Sequence, residues 1–76
     1  MKWWLIYLLL TSPGEWENPE GFGPRGMSLL WQCEFLGDYW RNAHPLGDKE
    51  DLSCIYALTS DEAVEIARGS RRKSGE

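Results

Sequence analysis

Residues 52–69, LSCIYALTSDEAVEIARG, hold an apolar strand-like run that leads without a spacer into helix-start signals. The apolar residues at 55–58 come first, and Thr59 and Glu62 then form the T-x-x-E pattern of a capping box. In that motif the Thr59 hydroxyl accepts a hydrogen bond from the Glu62 backbone N–H, and the Glu62 carboxylate accepts one from the Thr59 N–H. The pattern therefore predicts that a helix begins directly after the strand.

The bounds of these two elements follow from the same stretch. We predict a strand at about Leu52–Leu58 and a helix at about Ser60–Arg68, which Gly69 ends by adopting a left-handed conformation. The apolar stripe of this helix is narrow, because it consists of small side chains and one isoleucine: Ala63, Ile66 and Ala67. A strand followed by a one-sided helix is typical of α+β domains.

Length and composition limit the kind of protein this is. The chain has 76 residues with five Trp, three Tyr and two Phe, which excludes a disordered chain because such chains are poor in aromatic residues. A domain this small has little room for the supporting residues that an active site needs. We expect a single α+β domain over residues 1–69, a flexible basic tail over 70–76, and no enzymatic activity; only the long loops keep an enzyme as an alternative.

The charges are distributed unevenly along the chain. Residues 1–67 carry four basic and eleven acidic side chains, a net charge of −7, whereas residues 68–76 carry four basic and one acidic, a net charge of +3. The acidic body suits a basic protein surface and repels nucleic acid. The tail supplies the alternative of a nucleic-acid-binding module, which would use Arg68, Arg71, Arg72 and Lys73.

The N-terminal segment is apolar on both of its alternating faces. We predict a strand at about Lys2–Leu10, and strands of this kind are usually central in a sheet and covered on both sides. The run is far shorter than the about 20 apolar residues that cross a bilayer. A signal peptide and an interfacial anchor are the alternatives, and we expect a cytoplasmic protein that does not contact a membrane.

Residues 11–26 hold three of the four prolines and four of the eight glycines, which predicts a loop. Loops of this length in small domains tend to be functional or mobile. Trp16 and Phe22 lie within it. Two alternatives stay open for these side chains: they fold back as a lid over the open sheet face, or they stand out as contact residues.

The middle of the chain is interpreted as further strands. Met27–Leu36 alternates between an apolar and a mixed face, which predicts a second, half-buried strand. Gly37 and Asp38 suit a two-residue hairpin turn, and a short strand is predicted at Tyr39–Asn42. Residues 43–51 are expected to form a polar loop before the last strand.

These elements predict an α+β fold with a small antiparallel sheet of three to four strands and one C-terminal helix packed on one face. One narrow helix cannot cover both faces of the first strand. We therefore expect the long loop or another chain to cover the second face, because exposed apolar patches mark interaction surfaces.

The side chains that could carry chemistry are few. Cys33 and Cys54 are expected to be free buried thiols, with a disulfide as the alternative if two strands pair with these positions opposite. His44 is the only histidine, and with two cysteines it leaves no ligand set at a recognised spacing. We predict no metal and no cofactor.

The leading hypothesis is a non-enzymatic acidic protein that binds and inhibits another protein with a basic surface. Phage-encoded inhibitors such as anti-CRISPR proteins, some of which occupy nucleic-acid-binding surfaces, offer an analogy of size and charge that no motif carries. A homodimer that buries the open face of the first strand is the alternative. We place the partner-binding residues on the first strand and in both loops: Trp3, Tyr7, Glu15, Trp16, Glu17, Glu20, Phe22, Asp48, Glu50 and Asp51.

Overall fold

The computed structural model describes residues 1–74, and side-chain positions through residue 70. Its elements in chain order are β1 (Lys2–Ser12), β2 (Glu15–Glu17), β3 (Arg25–Met27), α1 (Leu30–Ala43), β4 (Glu50–Ala57) and α2 (Ser60–Ser74). The fold is α+β, with an antiparallel four-stranded sheet and two helices. The predicted fold class is thus confirmed in its coarse form. The expectation of a single, C-terminal helix is wrong, because a second helix precedes β4.

β1 is the central strand, as its two apolar faces predicted. It pairs with β4 along its length, from Lys2 opposite Ala57 to Leu9 opposite Glu50. Its other edge pairs with β3 near the start of β1 and with β2 near the end. β2 and β3 both run antiparallel to β1 and pair with the same edge of it. Residues 18–24, which connect β2 to β3, interrupt the pairing along that edge. The predicted loop at 11–26 therefore contains two short strands.

One side chain closes the interruption between β2 and β3. The Asn18 Nδ2 group donates to the Tyr7 carbonyl at 2.8 Å and to the Phe22 carbonyl at 2.9 Å. The segment also holds a turn in which the Phe22 N–H donates to the Pro19 carbonyl, with Gly21 at φ +88° in its third position. Glycine suits that position because it adopts positive φ without steric cost.

Each face of β1 has its own core because successive side chains of a strand point to opposite faces. Ile6 and Leu8 pack with residues of α2, β2 and β4. Leu5, on the other face, packs with Cys33 of α1 and Leu52 of β4. The face of β1 that we expected a loop or another chain to cover is therefore covered by α1.

The predicted strand at Met27–Leu36 is wrong, and so is the short strand predicted at Tyr39–Asn42, because both lie largely or wholly in α1. Cys33, Leu36 and Gly37 lie at helical i, i+3, i+4 spacing, and all three turn toward the sheet. Gly37, which was predicted to begin a hairpin turn, is buried in the middle of the helix above Leu5. The structure of this segment therefore follows the helical spacing of its buried residues and not the alternation of its apolar residues.

The last strand and helix agree with the sequence at their junction. β4 begins two residues earlier than predicted, α2 begins at Ser60 as predicted, and the Glu62 N–H donates to the Thr59 hydroxyl at 3.2 Å. The predicted helix end is wrong, since α2 continues through Gly69 to Ser74, and Gly69 is not among the residues with positive φ. A glycine in a helix interior costs only about 1 kcal/mol, too little to stop this helix.

Cys33 and Cys54 form a disulfide between α1 and β4, with their Cα atoms 6.1 Å apart. The expectation of free thiols is wrong. The alternative, a disulfide between these two cysteines, is correct, although the bond joins a helix to a strand and not two strands. Among the described residues, neither helix has the length and apolar content that crossing a bilayer requires.

Candidate protein interaction surface

The outer side of α1 carries three aromatic side chains spaced four residues apart. Trp31, Phe35 and Tyr39 are 63%, 70% and 65% exposed. Residues at i and i+4 lie on the same side of a helix. Because Cys33 and Gly37 face the sheet, the three rings between and beyond them face solvent. Large aromatic side chains exposed in a row are an unusual surface for a soluble domain and mark interaction sites.

Two further rings extend this row at the C-terminal end of α1. Trp40 lies next to Tyr39 in the helix, and its ring centroid is 6.2 Å from that of Phe22 in the 18–24 segment. Phe22 in turn packs on Tyr7, with centroids 4.6 Å apart. We define the aromatic surface as the five exposed residues of this row: Phe22, Trp31, Phe35, Tyr39 and Trp40.

A cleft of about 440 Å³ adjoins the aromatic surface where Phe22 meets Trp40. It lies between the 18–24 segment, the end of α1 and the loop that precedes β4. Leucine side chains from the sheet line it together with polar groups at its rim: Tyr7, Arg25, His44 and Glu50. The Tyr7 hydroxyl donates to Glu50 Oε2 at 2.7 Å.

The Tyr7–Glu50 pair has opposite pKa shifts. Burial, followed by the hydrogen bond to Glu50 and its negative charge, raises the pKa of Tyr7 to about 12. The hydrogen bond from Tyr7, followed by one from the Gly47 N–H, lowers the pKa of Glu50. Tyr7 therefore stays neutral and Glu50 stays charged around neutral pH. The pair acts as a fixed hydrogen bond that keeps a negative charge at the rim of the cleft.

Three of the residues predicted to bind a partner come together at this cleft: Tyr7, Phe22 and Glu50. Trp3 lies at the other end of β1, half-buried, with its ring centroid 5.0 Å from that of Tyr56. Trp16 is only 7% exposed and belongs to the core beneath α2. Its side chain folds inward, so it is not available as a contact residue in this structure.

The predicted acidic residues are spread over the surface. Glu15, Glu17 and Glu20 are exposed on β2 and in the turn that follows it. Asp48 is exposed in the loop before β4, and Asp51 is half-buried on β4. Apart from Glu50, these side chains do not line the cleft. They contribute to the negative field of the body and do not form one cluster.

Arg68, predicted as a nucleic-acid contact, has a structural role. Its Nε donates to the Trp16 carbonyl at 2.7 Å and its Nη1 to Glu65 at 3.2 Å. The first bond attaches β2 to α2, and the second lies within α2. The three other basic residues of that prediction lie on the last turns of α2, and their side chains lie outside those that the structure describes: Arg71, Arg72 and Lys73.

Four residues of the aromatic surface were assigned to strands in the sequence and not to the interface: Trp31, Phe35, Tyr39 and Trp40. The spacing of the first three by four residues is the signal that could have identified them, because it is helical. Within residues 1–74, no group of three or more His, Cys, Asp or Glu side chains is arranged to hold a metal ion.

No protein-family model matches the chain, and neither a curated protein nor a solved structure is significantly similar to it. Its function must therefore be inferred from its own residues.

Proposed function

We propose that this chain is a non-enzymatic protein that binds another protein by laying the outer side of α1 in an apolar groove of its partner. The supporting observation is the row of Trp31, Phe35 and Tyr39, each more exposed than buried. Helix-in-groove recognition uses anchors at this kind of spacing on one side of a helix. Trp and Tyr are also among the residues that contribute most to binding energy at protein interfaces.

Charge favours a partner with a basic surface. The body of the chain has a net charge of −7 over residues 1–67. Glu34 and Asp38 are exposed beside the aromatic row on α1, and Asp38 is 3.1 Å from Arg41 in an exposed ion pair. Acidic groups at the rim of an apolar contact attract a basic partner and raise the association rate more than the affinity.

The fold presents α1 in a fixed orientation. The Cys33–Cys54 disulfide and the burial of Gly37 hold the inner side of the helix on the sheet. The helix therefore does not have to fold or rotate when it binds, which lowers the ordering cost of association. This supports a preorganised recognition helix over a segment that becomes ordered on binding.

Inhibition is part of the proposal. A partner that uses a basic surface to bind nucleic acid would lose that surface when the acidic chain covers it. This is the class of target that we proposed from size and charge, and phage-encoded inhibitors are one source of such chains. Competition between the chain and a labelled oligonucleotide for the purified partner would separate an inhibitor from a simple binder.

The disulfide bears on where binding takes place. Oxidising compartments preserve disulfides, whereas cytosolic thiols reduce them. Cys33 is fully buried, which restricts the access of reductants. We keep a cytoplasmic location as part of the proposal. In that compartment the disulfide must be protected from reduction by its burial. Alkylation of free thiols in intact cells tests this, because a protected disulfide leaves neither cysteine free to react.

The experiment that tests the proposed function compares two variants of the immobilised chain in a lysate of its source cells. Trp31→Ala/Phe35→Ala/Tyr39→Ala removes the row, and Leu58→Ala removes an exposed apolar side chain between the end of β4 and the start of α2. The expected result is a protein with a basic surface that the wild type and Leu58→Ala retain and the triple variant loses.

Equal recovery by the triple variant would contradict the role of the row. The dimer alternative has its own readout, because light scattering on the wild type and on the triple variant reports self-association directly. A wild-type dimer that the triple variant abolishes would assign the same surface to a second copy of the chain and overturn the proposal of a basic partner.

A further inference from the structure

The outer edge of β4 is a second surface, distinct from the outer side of α1. β4 pairs with β1 on one side, and no strand among the described residues pairs with the other side. The Leu10 N–H donates to the Lys49 carbonyl at 2.7 Å, which fixes the alternation of the ladder. Odd-numbered residues of β4 bond to β1, so the N–H and C=O groups of Leu52, Cys54 and Tyr56 point outward.

One end of this edge is already occupied. The Arg41 Nη2 group reaches from α1 and donates to the Leu52 carbonyl at 2.8 Å. The outward groups of Cys54 and Tyr56 have no partner among the described residues, which leaves two donors and two acceptors in a row. Unpaired groups on a strand edge act as a template for another strand.

Both helices place apolar side chains beside this edge. Leu30 lies eleven residues, or three helical turns, before Arg41, so it shares the flank of α1 that faces β4. On α2, Val64 and Arg68 face Glu17 and Asn18 of the β2 side. Ile66 lies midway between those two residues in sequence and so faces the opposite flank, toward β4. Leu30 and Ile66 are both exposed, as is Tyr56 on the edge itself.

The same flanks carry acidic side chains. Glu34 lies one turn after Leu30 on α1, and Glu62 lies one turn before Ile66 on α2. Both are exposed. A second copy of the chain paired along this edge would bring these like charges together, which is unfavourable. An extended segment with basic side chains would instead neutralise them.

We propose that the β4 edge binds an extended segment of another protein in which apolar and basic residues alternate. The segment would add a fifth strand through the backbone groups of Cys54 and Tyr56. Its apolar side chains would contact Leu30 or Ile66, according to the face of the sheet on which they lie. This interface does not involve the rings of the aromatic surface, so it stands or falls independently of the role of that surface.

A synthetic peptide of alternating valine and lysine is the probe, and an alternating valine–glutamate peptide is its matched control. Tyr56→Pro removes the outward N–H and leaves the bonds of β4 to β1 in place, whereas Tyr56→Ala removes the ring and keeps the N–H. The valine–lysine peptide should bind the wild type and slow amide exchange at Cys54 and Tyr56. Tyr56→Pro should weaken binding about tenfold, the loss expected for about 1.4 kcal/mol, and Tyr56→Ala should weaken it less.

Several results would overturn the proposal: equal binding of the two peptides, unchanged exchange at both amides, or equal affinities of Tyr56→Pro and Tyr56→Ala. A wild-type dimer in light scattering that Tyr56→Pro abolishes would replace the basic segment by a second copy. If Tyr56→Pro does not fold, Glu34→Lys/Glu62→Lys decides the question. That variant should prefer the valine–glutamate peptide, and an unchanged preference for valine–lysine contradicts the assignment.

Discussion

Cys33 of α1 is bonded to Cys54 of β4, and this bond fixes which side of α1 faces solvent. Trp31 and Phe35 lie two residues before and after Cys33, about 200° around the helix in either direction. A helix held to the sheet at Cys33 must therefore direct both rings outward. The same bond that stabilises the fold thus also orients the proposed binding surface.

Loss of the disulfide should destabilise the domain. The cysteines are 21 residues apart in sequence, and closing a loop of this length in the unfolded chain corresponds to about 3 kcal/mol in the chain-entropy description. We expect Cys33→Ala/Cys54→Ala to lower the free energy of unfolding by about that amount, measured by chemical denaturation. Wild type treated with reductant is the control and should lose a similar amount. Identical unfolding midpoints with and without reductant would contradict a stabilising disulfide.

Asn18→Asp should destabilise the interrupted sheet edge. The substitution keeps the size of the side chain but replaces two N–H donors by a carboxylate that faces the carbonyls of Tyr7 and Phe22. We expect a loss of about 1–3 kcal/mol in the free energy of unfolding. Glu20→Gln, at an exposed site in the same segment, should change it by less than about 0.5 kcal/mol. Equal effects of the two variants would refute the bridging role of Asn18.

The stability of the domain should fall at high pH in a way that depends on Tyr7. The pKa of Tyr7 is raised from 10.0 to about 12 in the folded chain. The unfolded chain therefore releases this proton at lower pH than the folded chain does, and folding loses stability as pH rises between these two values. The stabilisation is fully present below pH 10. The thermal midpoint of the wild type should fall more steeply with pH across this range than that of Tyr7→Phe. Equal slopes for the two proteins would contradict the raised pKa of Tyr7.

Trp16 and Trp31 should differ strongly in their effect on stability, although both are tryptophans. Trp16 is buried beneath α2, so Trp16→Ala should cost about 3–5 kcal/mol. Trp31 is mostly exposed, so Trp31→Ala should change the free energy of unfolding by about 0.5 kcal/mol or less. Denaturant unfolding of both variants provides the comparison. A large loss in Trp31→Ala would mean that the aromatic row is part of the core.

The two ends of the domain could be predicted from the sequence because their signals are local. The continuous apolar run of β1 and the Thr59–Glu62 pattern before α2 both specify structure within a few residues. The end of α2 could not be predicted in the same way. A single Gly69 weakens a helix slightly, and the residues around it decide whether the helix continues.

α1 was mistaken for a strand because its apolar residues fit both periods over a short window. Alternation places Trp31, Cys33 and Phe35 on one face, whereas the helical period separates Cys33 from the two rings. The choice between them depends on the sheet that Cys33 and Gly37 contact, which is distant in sequence. The mistake also kept these rings out of the predicted set of partner-binding residues, which is confined to β1 and the two predicted loops. The cleft residues Tyr7, Phe22 and Glu50 were selected for their type, but only the tertiary structure brings them together.

The most direct test of the central claim is the affinity of the purified partner for Phe35→Ala and Leu58→Ala. Phe35 is the most exposed ring of the row on α1 and is not among the residues that pack against the core of that face. We expect Phe35→Ala to weaken binding about thirtyfold, the loss of about 2 kcal/mol that defines a binding hot spot, and Leu58→Ala to leave the affinity unchanged. An affinity of Phe35→Ala equal to that of the wild type would contradict the account.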